Sequence, residues 1–405
     1  MRKDISRRTF LASTAASLGA LTSLPHEMSR HVRLATPSSS PLGAPRRPYG
    51  DRSPYEKSAR YFKPSSTPGT GASRTPLQDL HGIITPSALH FERHHAGVPQ
   101  IDPHHHELMI HGLVERPLIF TMKDILRLPP VSHIHFLECA GNTASDQLGQ
   151  PGTDPQMSHG LLSCSEWTGV SLKTLLDQVG PRPKASWLIA EGSDASRLSR
   201  SLPLAKALDD VIVAYGQNGE ALRPEQGYPL RLIVPGWEGN VNIKWLGRID
   251  LVDQPYMTRD EAAFYTDLMP NGKARMFTFV MEAKSVITRP AGGQHLDGPG
   301  FYEIEGMAWS GRGSITRVEV STDEGKSWRD AELSSLVLPK AVARFRLPWR
   351  WDGSELSLQS RCTDDTGYVQ PTRDELVSVR GLNGTDHYNG IKAWHVHRDG
   401  KVSHV

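Results

Sequence analysis

Near Arg275 the hydrophobic pattern of the chain changes its period, and that change limits the available folds more than any other feature. Before it, helical and strand-like stretches follow one another without regular alternation. Thr121 opens a capping-box pattern with Asp124, which predicts a short helix ended by Pro129 and Pro130. Leu172, Leu175, Leu176 and Val179 share one face of a second helix, with Ser171 as N-cap, Val170 and Leu175 as a hydrophobic staple, and Gly180-Pro181 as the stop. Residues 204–208 read as a third helix, and 107–114, 187–190, 211–215, 230–234 and 246–252 as strands. Beyond Arg275, residues 277–281, 285–288, 301–309, 316–321, 343–347 and 356–362 read as short strands with no helical period between them. Asp323-Glu324-Gly325 is a hairpin turn between Val320 and Trp328. The pattern predicts an α+β domain followed by an all-β sandwich.

A chain of 405 residues exceeds one ordinary core, so two domains with extensions are expected. Residues 1–35 contain Ser6-Arg7-Arg8-Thr9-Phe10-Leu11 and a weakly apolar run, which looks like a twin-arginine export signal and implies a periplasmic protein. Residues 36–76 are rich in Pro, Ser and Gly and predict a disordered or extended arm. The α+β domain is placed at 77–275, the sandwich at 276–380 and a C-terminal tail at 381–405, whose Trp394 and neighbours suit docking. A net charge of +2 offers no field for nucleic acid, and no stretch reads as a membrane span. Three widely spaced cysteines, at 139, 164 and 362, form neither a disulfide framework nor a zinc knuckle. With no Cys-x-x-Cys-His, covalent c-type haem in this chain is excluded.

The run His133-Ile134-His135-Phe136-Leu137-Glu138 predicts a strand that ends abruptly at Cys139-Ala140-Gly141-Asn142. Two small residues after the sulfur leave room for something large to approach it. A thiolate there suits a redox metal, a nucleophile or disulfide exchange, and a buried structural cysteine is the bland alternative. Histidines at 94, 95 and 104–106 are plentiful, but adjacent histidines rarely bind one ion because successive side chains diverge. The 104–106 run is expected to be solvated or to line a pocket. Arg231 and Lys244 bracket Pro235-Gly236-Trp237-Glu238-Gly239-Asn240, a loop whose amides could approach a phosphate.

Glu138-Cys139-Ala140-Gly141-Asn142 resembles the molybdenum-ligating segment of the sulfite oxidase family. The resemblance extends in order through Phe91-Glu92-Arg93-His94-His95, Asn218-Gly219, Gly227-Tyr228-Pro229-Leu230-Arg231, Pro235-Gly236 and Lys244-Trp245-Leu246-Gly247-Arg248. Phe264-Tyr265-Thr266-Asp267-Leu268-Met269 and His387-Tyr388-Asn389-Gly390-Ile391 resemble the family's sulfane dehydrogenase branch. This resemblance implies a molybdopterin-binding domain followed by an immunoglobulin-like dimerisation domain. It implies a molybdenum–pyranopterin cofactor with Cys139 as the one protein ligand to the metal. Phe91, Glu92, Arg93, His94, His95, Asp194, Gln226, Arg231, Asn242, Ile243 and Lys244 fall on the positions that hold the pterin and its phosphate. Arg93 and Tyr265 fall on the active-site arginine and tyrosine and join Cys139 as catalytic residues.

The implied reaction passes an oxo oxygen to sulfur and electrons to a separate c-type cytochrome subunit, in a hetero-oligomer containing a homodimer of this chain. Two departures bear on substrate: Thr143 and Ala144 stand where sulfite oxidases carry arginines, and Gln226 replaces a histidine. A less cationic pocket suits sulfane sulfur on a carrier protein. Sulfite with a cytochrome acceptor is the alternative within the family, and an exported, non-catalytic binding protein is the alternative outside it. A cysteine-nucleophile hydrolase lacks a local signature.

Overall fold

The computed structural model describes residues 47–384 and 386–405. The 1–35 export segment and residues 36–46 of the arm lie outside the described residues. Lys57–Val405 forms one compact unit, and the described residues before it fall in another.

Three antiparallel strands, Tyr61–Lys63, Gly71–Arg74 and Glu92–His94, form a small sheet, so this part of the proline-rich arm is ordered by backbone pairing with the Phe91–His95 segment. A five-stranded sheet runs Glu220–Ala221, Ile212–Gln217, Leu162–Ser171 and Val131–Glu138, with Arg231–Ile233 also paired to Ile212–Gln217. A second runs Leu118–Thr121, Glu107–Gly112, Leu246–Val252, Trp187–Gly192 and Ser199–Pro203, with one parallel pairing, between Glu107–Gly112 and Leu246–Val252. The helix Leu172–Val179 packs Leu172, Leu175, Leu176 and Val179 into the core beneath these strands, and Gly180 ends it at φ +67°, a conformation that favours glycine. Ser171 is its N-cap residue, but its hydroxyl makes no capping bond. The Thr121–Asp124 capping box forms as predicted.

Past Arg275, two sheets face one another. One contains Lys284–Arg289, Gly300–Trp309, Ala343–Trp351 and Glu332–Leu333, and the other Arg329–Asp330, Ile315–Ser321, Leu356–Asp364, Ala393–Val396 and Val402–His404. Alternation is clean in Ala343–Trp351, where Ala343, Phe345, Leu347, Trp349 and Trp351 are buried between exposed or half-buried neighbours. The fold class is as expected, and three local readings are corrected. Residues 277–281 are not a strand: Phe277 and Phe279 have φ of +54° and +55° and stack, with Phe279 4.3 Å from Trp237. Arg373–Arg380 is a helix, capped by Thr372 and Glu375, that buries only Leu376 and therefore shows no apolar stripe in the sequence. The segment set apart as a tail supplies two strands of the sandwich, because Trp394, Val396 and Val402 need the core for their apolar surface.

The same apolar core also takes in Phe136, Leu162 and Cys164 from the cysteine-bearing sheet. The strand that ends at Cys139 is thus braced by the sandwich as well as by its own sheet. No helix among the described residues is long and apolar enough to cross a membrane.

Candidate active site

Val131–Glu138 delivers Cys139 to the floor of a cleft. Phe136, Leu137 and Glu138 are buried, and the backbone then turns, with Asn142 N–H donating to Cys139 O at 2.9 Å. The Asn142 side chain locks the turn. Its Nδ2 donates to Glu138 Oε1 (2.9 Å) and His159 O (3.1 Å), and its Oδ1 accepts from Leu161 N–H (3.2 Å). On the other flank Gly239 lies so close that a Cβ there would sit 2.9 Å from Glu138 O and 3.3 Å from the Cys139 Cα. Only a glycine lets the 235–240 loop pass over the cysteine. Cys139 itself is half-buried and opens on the cleft, whereas Cys164 and Cys362 are buried outside it. Burial pushes its thiol up to about 11, with Asp386 adding to the shift. At neutral pH it stays protonated unless a bound cation displaces the proton, which suits a metal ligand better than a free nucleophile.

The cleft wall supplies the expected cations. Arg231 is 3% exposed and stacks over Trp167, its guanidinium 5.0 Å from the ring centroid. Its Nη1 donates to Gln226 O (2.8 Å) and its Nη2 to Asn242 O (3.2 Å), while buried Nε has no partner among the described residues. Lys244 Nζ donates to Arg93 O (3.1 Å), Glu225 O (3.1 Å) and His94 Nδ1 (2.8 Å). Burial lowers Arg231 to about 9, and burial followed by Arg231 depresses Lys244 well below the ordinary amine range. Among the described residues, no carboxylate oxygen lies within 4.0 Å of the charged nitrogens of Arg231, Lys244 or Arg93. Arg231 is a buried cation held by neutral acceptors, with half-buried Lys244 and Arg93 beside it, and such a group requires a counter-anion from elsewhere. The donor set and the thiol together fit a phosphate-bearing cofactor with a metal. Removing one cation should show it: Arg231→Gln is expected to lower the molybdopterin content of purified protein at least about tenfold, read by fluorescence of the oxidised pterin. Unchanged content would contradict this assignment.

Of the eleven residues predicted to hold the cofactor, Phe91, Arg93, His94, His95, Asp194, Gln226, Arg231, Asn242, Ile243 and Lys244 line the cleft, as do Cys139 and Tyr265. Glu92 does not. It is buried behind them, accepting from His94 Nε2 at 2.6 Å and pairing with Arg60. Through it His94 is oriented as a neutral imidazole, which burial and Lys244 lower to about 3. Gln226 gives an amide hydrogen to Phe91 O at 3.0 Å and takes one from Arg231 at 3.3 Å, so much of its bonding capacity is spent inside the protein. Asn242 likewise folds its own loop, accepting from Val234 N–H at 2.6 Å and donating to Glu238 O at 3.0 Å. Asp194 accepts from Ser196 Oγ at 2.5 Å.

On the substrate side, Arg93 Nη1 donates to His94 O (2.5 Å) and Gly71 O (3.4 Å). Tyr265 is raised by burial, then by Cys139, and remains a neutral O–H donor. Behind its ring lies a charged network centred on Arg200, which no sequence motif announced. The guanidinium of Arg200 stands 4.5 Å from the Tyr265 centroid and pairs with Glu238 (2.9 Å) and Glu261 (3.3 Å), while Glu238 accepts from His387 at 3.0 Å. These residues are 38, 61 and 149 positions apart in their contacting pairs, so nothing local signals the network. Thr143 and Ala144 do not line the cleft, and Thr143 points instead to Tyr388 O and Lys284. His104 and His105 are exposed beside Asp102, and buried His106 bonds Leu246 O, so the run plays no part here.

A family model described as "Oxidoreductase molybdopterin binding domain" matches residues 95–259, and one described as "Mo-co oxidoreductase dimerisation domain" matches residues 275–393. The crystal structure of the sulfane dehydrogenase SoxCD from Paracoccus pantotrophus is similar at 44% identity and TM-score 0.89, covering 95% of this chain and 99% of that one. Mitochondrial sulfite oxidase of Mus musculus is 30% identical over 78% of this chain and 61% of its own length. An NADH nitrate reductase of Ulva prolifera is 30% identical over 71% of this chain and 37% of its own. The chain thus spans less than two thirds of these two relatives. Similarity along nearly the whole of a solved structure, with both domain matches in order, places the chain in the sulfite oxidase family of molybdopterin oxidoreductases.

Proposed function

We propose that the chain is the catalytic subunit of a periplasmic sulfane dehydrogenase, oxidising sulfane sulfur attached to a carrier protein and passing electrons to a c-type cytochrome. The observation that carries this reading is the meeting of Cys139, Arg93 and Tyr265 in one cleft whose buried cations lack carboxylate partners. The likeness to a sulfane dehydrogenase at 44% identity supports that substrate class.

When bound, a molybdenum pyranopterin supplies two-electron redox chemistry and oxygen transfer to sulfur. Cys139 would hold the metal, and Arg231 and Lys244 would hold the phosphate. Arg93 can steer an anionic sulfur compound, since its Nη1 is anchored on two carbonyls and, among the described residues, no other protein acceptor is bonded to it. Tyr265 keeps its proton and can donate a hydrogen bond without itself ionising. Arg200, packed on the Tyr265 ring, holds that donor in place.

The dimerisation match supports a homodimer, within a complex that includes the cytochrome, and the Arg7-Arg8 segment supports twin-arginine export. Likeness to mitochondrial sulfite oxidase favours a second reading, in which free sulfite is the substrate. The two separate in one experiment: turnover of a persulfidated or thiosulfonated carrier protein against free sulfite, each with a cytochrome c acceptor. Carrier-bound sulfane is expected to turn over with at least about tenfold higher kcat/KM. A preference for sulfite would replace the first reading with the second.

A further inference from the structure

In the sandwich, the last strands and the turn before Leu356–Asp364 bring together three side chains that the proposed chemistry does not use. Ala393–Val396 pairs antiparallel with Leu356–Asp364, with Leu356 opposite Val396. Carried one residue further, that register sets Glu355 across from His397. Because side chains alternate along a strand, His395 and His397 project on one face, two residues apart, beside Glu355. His395 Nε2 lies 3.0 Å from Glu355 Oε1 and His397 Nδ1 lies 3.8 Å from the same oxygen. The two imidazoles meet edge to face with centroids 4.4 Å apart. One donor atom from each of the three falls within 4.8 Å of the others, and among the described residues no other group of three His, Cys, Asp or Glu side chains does so.

Those separations are near what a small tetrahedral ion demands, since ligands at about 2.0–2.2 Å from zinc stand roughly 3.3–3.5 Å apart. The second observation concerns His397. Its Nε2 is 2.9 Å from Ser403 Oγ on the neighbouring strand Val402–His404. If that nitrogen carries the proton, the Nδ1 lone pair faces a carboxylate oxygen at 3.8 Å, too far for a hydrogen bond and repulsive unless a positive charge lies between them. An outer hydrogen bond of this kind is how ligating histidines are commonly oriented. All three side chains are accessible, being 31% (His395), 38% (His397) and 47% (Glu355) exposed, so an ion can enter without opening the fold. Arg398 is the nearby cation that competes for Glu355.

We propose that Glu355, His395 and His397 form a divalent transition-metal site, best suited to zinc, with water in the fourth position. The ion would clip the C-terminal hairpin to the turn that begins Leu356–Asp364. Binding puts the metal in place of the His395–Glu355 hydrogen bond, with the proton on His395 Nε2 passing to Nδ1 or to solvent, and involves no change of oxidation state.

The test uses the cofactor-loaded full chain. Zinc would be titrated against a chromophoric chelator for wild type, His395→Gln and His397→Gln, and cobalt(II) spectra recorded on wild type. The expected result is one zinc per chain with Kd tighter than about 10 μM, weakened at least about tenfold in each variant, and an intense tetrahedral cobalt band. Weaker binding, equal binding by the variants, or a pale octahedral cobalt spectrum would overturn the site. Should a variant fail to fold, the wild-type affinity and cobalt spectrum decide the question alone. Loss of sulfur oxidation in the same protein would bear on the proposed function and not on this site.

Discussion

Cys139→Ser is expected to lower turnover by at least about a thousandfold, equivalent to roughly 4 kcal/mol of transition-state stabilisation. The serine hydroxyl is a harder donor with a far higher pKa, so it cannot replace a thiolate on a soft, redox-active metal. The contacts proposed for the phosphate come from Arg231 and Lys244 and do not touch the sulfur. Pterin should therefore remain bound while activity disappears. Steady-state rates, with molybdenum and pterin measured on the same sample, check both halves. Wild-type turnover in Cys139→Ser would remove the thiolate from the chemistry altogether.

Lys284→Met carries the largest expected effect on stability. Glu138, the residue before the cysteine, is 0% exposed, and Lys284 is 1% exposed, with Nζ 2.5 Å from Glu138 Oε1. Trp309 Nε1 donates to Oε2 at 2.7 Å, and Asn142 Nδ2 to Oε1 at 2.9 Å. Deleting the ammonium leaves a buried carboxylate with neutral donors only, which costs about 3–5 kcal/mol. Denaturant unfolding of the cofactor-free chain would read this directly, and Glu138→Gln in the Lys284→Met background should recover part of it because no charge is then left unpaired. A loss below about 1 kcal/mol would show that the pair is solvated and does not brace the strand. Lys284 and Trp309 belong to the sandwich, so the ligand segment is held from the dimerisation side of the chain.

Much of the site was legible because its parts lie in short motifs whose chemistry is local. Cys139 ends an apolar run, the small residues beside it leave approach room, and Arg231 and Lys244 flank a glycine-bearing loop. Phe91–His95 could be attached to them only through family resemblance, since nothing in its composition says that it crosses to Lys244. For the same reason the motif does not say that the Glu92 carboxylate turns to His94 and Arg60. Arg200 and Glu261 could not be found at all, and Glu238 was visible only as a member of its loop, because each reads as an ordinary charged residue until the fold removes it from water.

Hydrophobic period alone determined an α+β region, an all-β region and a strand ending at a cysteine, since burial of an apolar face at spacing two or near 3.6 is a property of neighbours in the chain. Tertiary structure decided which charges meet. It set Lys284 against Glu138 across 146 positions, turned Arg231 and Lys244 inward without carboxylates, and folded Ala393–Val396 and Val402–His404 into the sandwich. Electrostatic partnership acts through space at a few ångströms, and a linear sequence carries no distance of that kind.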